Sequence, residues 1–269
     1  MSEQSERGRE KRRRFLSVLR PQKEEGIEIK HKQARVIGVF SCKGGVGKTT
    51  TAANISAYLN QRMKDEVLAV DANLTAPNLG IHLGELTPKT TIHDVLAGEV
   101  RVDKAVMKCH GIPVLLGSIA FGEEVHLVDL QTHLAPLKSK YKIIVLDSAP
   151  GVGLEVVAAM KACDEILVVT TPLTPTIAST LKTFGAADRY KVHVFGSVIN
   201  MVRRESFELS IDDVRRALGW PVLTSVPEDP KVREATIAGV PVLSYDPDSP
   251  ASQSFAKLGR SIMKYLGKH

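Results

Sequence analysis

Cysteine is scarce in these 269 residues. Cys42, Cys109 and Cys163 lie too far apart to frame a disulfide scaffold or a CxxC metal or redox pair. Spare thiols of this kind fit a reducing cytoplasm and, for Cys109 and Cys163, places in a core. No run approaches the roughly 18 consecutive apolar residues that cross a bilayer. The amino terminus carries neither the apolar block nor the small-residue cleavage site of a secretory signal. Neither an integral membrane protein nor a secreted one is therefore expected. Internal repeats and low-complexity segments are also missing. Excess positive charge is confined to a leader: residues 1–35 hold 11 Lys and Arg against 6 Glu, and the remainder holds 25 Lys and Arg against 24 Asp and Glu. A near-neutral body argues against a strongly basic nucleic-acid-binding domain and leaves room only for a local patch.

What is present is a soluble globular composition, 43% hydrophobic and 25% charged, enough to bury a sizeable core. From Arg35 onward, short β-branched runs alternate with helical patterns. Arg35–Phe40, Val67–Asp71, Ile143–Asp147, Ile166–Thr170 and Val192–Ile199 read as strands, nearly continuously apolar as strands covered on both faces must be. Thr49–Gln61, with Ala52, Ile55 and Leu59 on one face, and Leu154–Ala162 read as helices. This alternation predicts an α/β fold with a mostly parallel sheet, right-handed crossovers and helices on both faces. One domain over 36–269 with an amino-terminal extension over 1–35 is expected. Phe255, Leu258, Ile262 and Leu266 recur at helical spacing and read as the domain's own closing helix, a core element rather than a membrane anchor. Trp220, the lone tryptophan, reads as a packing residue. In the leader, Arg12, Arg13 and Arg14 precede Phe15, Leu16 and Leu19, which would share one side of a short helix ended by Pro21. Such a segment either makes a weak contact with an anionic membrane or a partner, or remains a solvated tail.

Ligands of open parallel sheets sit beyond the carboxyl ends of the strands. Immediately after the first strand comes SCKGGVGKTT, Ser41 to Thr50, running into a helix. Gly44, Gly45 and Gly47 let the backbone turn its amides inward, Val46 lies between them, and the helix start adds its unbonded amides and positive dipole end. The result is a phosphate cradle in which Lys48 reaches the β- and γ-phosphates, the Thr49 hydroxyl ligates Mg²⁺ and Thr50 faces the α-phosphate. KIIVLDSAPGVG brings Asp147 to the end of an apolar strand 99 residues after Lys48, where an acid holds Mg²⁺ through water and the following turn shifts when the γ-phosphate leaves.

The loop resembles that of the MinD/ParA group of deviant Walker A ATPases, within the P-loop NTPases, and the resemblance spans about residues 35–266. It implies the three-layer P-loop NTPase fold, ATP and Mg²⁺ as ligands, slow ATP hydrolysis and an ATP-dependent homodimer. Lys43 stands where the family's signature lysine crosses to the partner's nucleotide, so the resemblance assigns phosphate-binding and catalytic roles to Lys43 and Lys48. In VDANLTAPNLG, Asp71 matches the first acid of switch I, which helps to hold Mg²⁺ and the attacking water. Asn73 replaces the second acid; an amide orients water but is no carboxylate base. That departure leaves binding intact and puts the hydrolysis rate in question. Cys42 replaces the loop's usual first glycine, a substitution the family tolerates. Asn200 resembles the asparagine that reads the adenine edge, and Pro227, Glu228 and Asp229 resemble the loop that closes over the base; each is equally open to ordinary turn chemistry.

DSAPG, APNLG and VPEDPKVREATIAGVPV followed by SPAS resemble the MinD branch, particularly its archaeal members, whereas the DPQGN-like switch I of DNA-segregating ParA proteins is absent. Flagellar regulators of FlhG type share much of this body. Iron–sulfur carriers and nitrogenase iron proteins bridge clusters through cysteines, and neither Cys109 nor Cys163 lies in such a motif. The expectation is a cytoplasmic dimerisation switch for cell division, motility or polar machinery, which meets membrane or scaffold peripherally through the leader; DNA segregation is the alternative.

Overall fold

The computed structural model describes residues 33–119 and 130–267. Eight strands form one sheet: β1 Arg35–Phe40, β2 Val67–Ala72, β3 Met107–Cys109, β4 Ile112–Leu115, β5 Ile143–Ser148, β6 Glu165–Thr170, β7 His193–Val202 and β8 Val222–Pro227, in the order β3-β4-β2-β5-β1-β6-β7-β8. All neighbours are parallel except β3 and β4, a short antiparallel edge. Among the described residues the helices are α1 Lys48–Arg62, α2 Leu79–His82, α3 Ile92–Leu96, α4 Val102–Ala105, α5 Leu130–Leu134, α6 Leu154–Lys161, α7 Thr174–Tyr190, α8 Ile211–Leu218, α9 Pro230–Ile237, α10 Val242–Tyr245 and α11 Pro250–Tyr265.

The central strands are apolar on both faces because both faces are covered. Val36 and Phe40 of β1, Ile144 and Leu146 of β5, and Val168 of β6 face a core completed by Val156 and Met160 of α6, Ile177 and Phe184 of α7, and Val214 of α8. Their alternating neighbours Ile37, Val39, Ile143, Val145 and Val169 face α1 and α11. The five strands read from the sequence are all present: β1 has the expected bounds, β2, β5 and β6 each gain one residue, and β7 begins one residue later and runs three residues further. β3, β4 and β8 were not foreseen: β3 is three residues long, β4 contains Pro113, and β8 is interrupted by the polar Thr224 and Ser225.

The helix expected over Thr49–Gln61 is present, and Ala52, Ile55 and Leu59 share one face as expected. α1 is buried all round, with Ala52, Ile55 and Leu59 against the sheet and α11, and Ala53 and Ala57 in a separate cluster with Leu79 and Leu83. Phe255, Leu258, Ile262 and Leu266 are buried against the sheet, as expected of a closing helix. Trp220 stacks on Phe184 with ring centroids 5.5 Å apart. Cys109 and Cys163 are buried, and burial pushes the Cys109 thiol up to about 11 and the Cys163 thiol further still. Residues 9–20 of the leader lie outside the described residues. Among the described residues no helix is long and apolar enough to cross a membrane.

Candidate functional site

The central strands β1, β2 and β5 end side by side, and their connections build one site. β1 delivers the loop Ser41–Gly47, which leads into α1. Gly45 and Gly47 hold φ of 77° and 92°, left-handed values that an L side chain rarely adopts. A Cβ at Gly47 would stand 2.1 Å from Nδ2 of Asn200. Gly47 is also the cap of α1 and offers no side chain to its first amides, which leaves them for an anion. The loop is pinned from three sides. Ser41 Oγ donates to the Lys43 carbonyl at 2.7 Å, Gly151 N–H donates to the Ser41 carbonyl at 3.0 Å, and Asn200 Nδ2 donates to the Val46 carbonyl at 2.8 Å.

The two lysines of the loop have different surroundings. Lys48 is buried, and burial draws its pKa down although Asp147 opposes the shift. Lys43 is exposed and makes no ion pair among the described residues. A buried cation in a ring of amides serves a phosphate bound to its own chain, whereas an exposed one at the mouth can reach another molecule. Thr49 and Thr50 are half-buried at the start of α1.

Asp71 and Asp147 are register partners at the ends of β2 and β5. Asp147 is fully buried and neither of its oxygens completes a hydrogen bond of good geometry. Burial pushes its pKa up to about 6, against the pull of the Thr49 hydroxyl and the Lys48 ammonium. A buried carboxylate without a partner costs stability and marks a place for a cation. With Thr49 beside it, the donor set is the oxygen-only one that Mg²⁺ takes. The residues present therefore fit a nucleotide-bound Mg²⁺.

Asp71 is committed otherwise. Its Oδ1 accepts from Asn73 N–H at 3.1 Å and its Oδ2 from Leu79 N–H at 2.9 Å, so it closes both ends of the switch I turn. Burial first, and the neighbouring Asp147 second, raise its pKa well above the carboxylate range. Asn73 has a local task as well: its Nδ2 donates to the Ala76 carbonyl, and its Oδ1 faces the Ala76 N–H at 3.4 Å. An amide supplies both a donor and an acceptor for that staple, which a carboxylate cannot.

The residues matched to the base-binding region have structural partners of their own. Asp229 caps α9, accepting from Lys231 N–H at 2.9 Å, and also from Ala251 N–H at 3.1 Å, which ties α9 to α11. Glu228 pairs with Arg203 across the ends of β8 and β7, and Pro227 ends β8. Asn200 lies under the phosphate loop rather than in an open pocket. A cavity of about 810 Å³ does open beside Pro227, off the edge of β8, bounded by Arg204, Ser225, Lys257 and Arg260 and by no residue of the phosphate loop.

Sequence reasoning missed two residues at this site. Glu155, on α6, accepts from the amides of Leu74 and Thr75 and from the Thr75 hydroxyl. His93, on α3, is buried, with Nε2 2.9 Å from the Leu74 carbonyl and Nδ1 accepting from Ser118 N–H at 3.1 Å. That pairing assigns the ring proton to Nε2. Neither residue sits in a motif, so only the fold could bring it to switch I.

Known proteins are similar to this chain in sequence and in fold. The family model described as ParA, NUBPL iron-transfer P-loop NTPase, matches residues 32–263. An ATP-binding protein of Methanocaldococcus jannaschii is 30% identical over 233 residues, which cover 86% of this chain and 88% of that one. Among solved structures, the septum site-determining protein MinD of Pyrococcus horikoshii complexed with Mg-ADP is 32% identical at a TM-score of 0.83, over 87% of this chain and 98% of that one. The cell division ATPase MinD of Pyrococcus furiosus is 34% identical at a TM-score of 0.82, over 86% and 99%.

Proposed function

The chain belongs to the ParA/MinD family of P-loop ATPases, and from that premise we propose that it is a MinD-type dimerisation switch in the cytoplasm that sets position or timing. ATP binds through Gly44, Gly45, Val46, Gly47, Lys48, Thr49 and Thr50. Thr49 and Asp147 would hold a nucleotide-bound Mg²⁺, with Asp71 in support, and the ion would supply neutralisation of the phosphate charge. Lys43 of each subunit reaches the nucleotide of the other. Asn200, Pro227, Glu228 and Asp229 frame the base end. The observation that carries this reading is the contrast between Lys48, buried in the cradle, and Lys43, exposed at its mouth without an ion pair among the described residues.

Hydrolysis is slow and separates the pair, because Asn73 supplies no carboxylate base and is occupied in holding its own loop. The dimer presents a face to a scaffold, a regulator or the inner surface of the membrane, the last through the basic leader 1–35. Cell division, motility and polar assembly are the processes such a switch serves. A relative, MinD of Aquifex aeolicus, has been solved in a MinC:MinD complex, which fits a protein partner of this kind. The near-neutral body argues against DNA as the partner. Two buried thiols with raised pKa values are poor ligands for an iron–sulfur cluster.

Sedimentation with ATP and Mg²⁺ tests the switch. The wild type is expected to double its mass, Lys43→Ala to bind ATP but remain monomeric, and Lys48→Ala to bind no ATP and remain monomeric. A normal ATP-induced dimer from Lys43→Ala refutes the reading.

A further inference from the structure

We infer that Glu155 is a positioning residue for hydrolysis, a latch that fixes the switch I loop to α6, the helix following switch II, the glycine-containing turn 149–153 after Asp147. Its carboxylate collects three donors from two consecutive residues of one turn. The Leu74 and Thr75 amides share Oε1, the second at 3.1 Å, and the Thr75 hydroxyl donates to Oε2 at 2.8 Å. Hydrogen bonds to an ionised carboxylate are the stronger kind. Glu155 also lies in the first turn of α6, where the unbonded amides and the helix dipole favour a negative charge.

What it joins gives the contact its meaning. Switch I begins at Asp71, which ties down the two ends of the turn through Asn73 and Leu79 but leaves its tip untouched. The tip, Leu74 and Thr75, is held from outside, by His93 on the carbonyl side and by Glu155 on the amide side. Glu155 is eight residues after Asp147, beyond the turn whose Gly151 N–H bonds to the Ser41 carbonyl of the phosphate loop. A continuous series of direct contacts thus runs from the phosphate loop through the switch II turn and Glu155 to switch I. Movement of that turn on loss of the γ-phosphate must either carry switch I with it or break the latch. Because Asn73 is next to the latched residues and staples the same turn, the contact sets where the switch I backbone stands beside the hydrolytic water, and small misplacements at such a site are costly in rate. His93 alone cannot do this, since α3 contains no part of the phosphate site.

This inference rests on the reading that switch I serves the hydrolytic water. The test combines steady-state ATP hydrolysis with amide exchange over residues 73–79 in Glu155→Ala, Glu155→Gln and Thr75→Val. For Glu155→Ala the expected result is a kcat lowered about tenfold, a KM within about twofold of wild type, and exchange at Leu74 and Thr75 faster by about tenfold or more. Glu155→Gln keeps an acceptor for the two amides and can donate to the Thr75 oxygen, so it should recover most of both quantities. Unchanged exchange in Glu155→Ala overturns the latch. Faster exchange at undiminished kcat, or a raised KM with kcat intact, overturns the positioning role. Should Glu155→Ala fail to fold, Thr75→Val decides: a two- to threefold loss of kcat is expected, and wild-type kcat and exchange overturn the inference. If the wild type binds ATP without turnover, the hydrolytic reading has failed, and exchange alone still decides whether the latch exists.

Discussion

Asp147 is the residue at which function and stability are most directly opposed. A carboxylate buried without a hydrogen bond of good geometry destabilises the metal-free fold. Its pKa, raised to about 6 from 3.8, fixes the sign of the pH dependence. The folded protein binds the proton more tightly than the unfolded chain, so the contribution is fully present below pH 3.8 and is lost as pH rises through about 6. Asp147→Asn is accordingly expected to raise metal-free stability at pH 7 by about 1–3 kcal/mol. It should flatten the decline between those two pH values in thermal melts while lowering Mg²⁺-dependent ATP affinity. An Asn variant less stable than wild type would contradict the assignment. Asn73 leads to a different expectation. Because its Nδ2 donates to the Ala76 carbonyl, Asn73→Asp loses that bond and sets a carboxylate against a carbonyl oxygen. Phosphate release is expected to stay level or fall, and a tenfold rise would show that the missing acid alone limits the rate.

At the scale of elements, the sequence was most informative where one local rule governs. The strands β1, β2, β5, β6 and β7 are continuous apolar runs, and the phosphate loop is a fixed spacing of glycines with lysine and threonine. Both are readable because strand burial and an anion-binding turn leave little choice of residue. β3, β4 and β8 were not readable, since an edge strand of three residues, one with Pro113 and one carrying Ser225 outward are decided by their neighbours. Glu155 and His93 were hidden for the same reason: their partners lie 80 and 19 residues away in sequence. The packing of α1 against α11 shows the same dependence. Gly259 lets Tyr58 lie against the helix, and a Cβ there would stand 2.1 Å from Tyr58 Cδ1. Gly259→Ala should lower stability by about 1–3 kcal/mol, read as an earlier melting transition, by forcing that contact apart. ATP affinity should remain near wild type, because α1 keeps its start at Gly47. A variant that melts like wild type would show that α11 shifts freely.

For the molecule as a whole, one geometry organises the account: three adjacent strand ends that bring a glycine-lined loop, a buried carboxylate and a tied-down switch to the same point. In the proposed switch the two lysines of that loop would divide the work between a chain's own nucleotide and its twin's, and the slow step would be set by residues held in place by the loop they belong to. All of it depends on adenine nucleotide being taken up together with magnesium. Calorimetric titration of the purified protein with ATP tests this most directly. Saturable binding of one nucleotide per chain in Mg²⁺, markedly weakened by chelation and absent in Lys48→Ala, is the predicted result. Heat indistinguishable from dilution, with Mg²⁺ present and the protein folded, would contradict it.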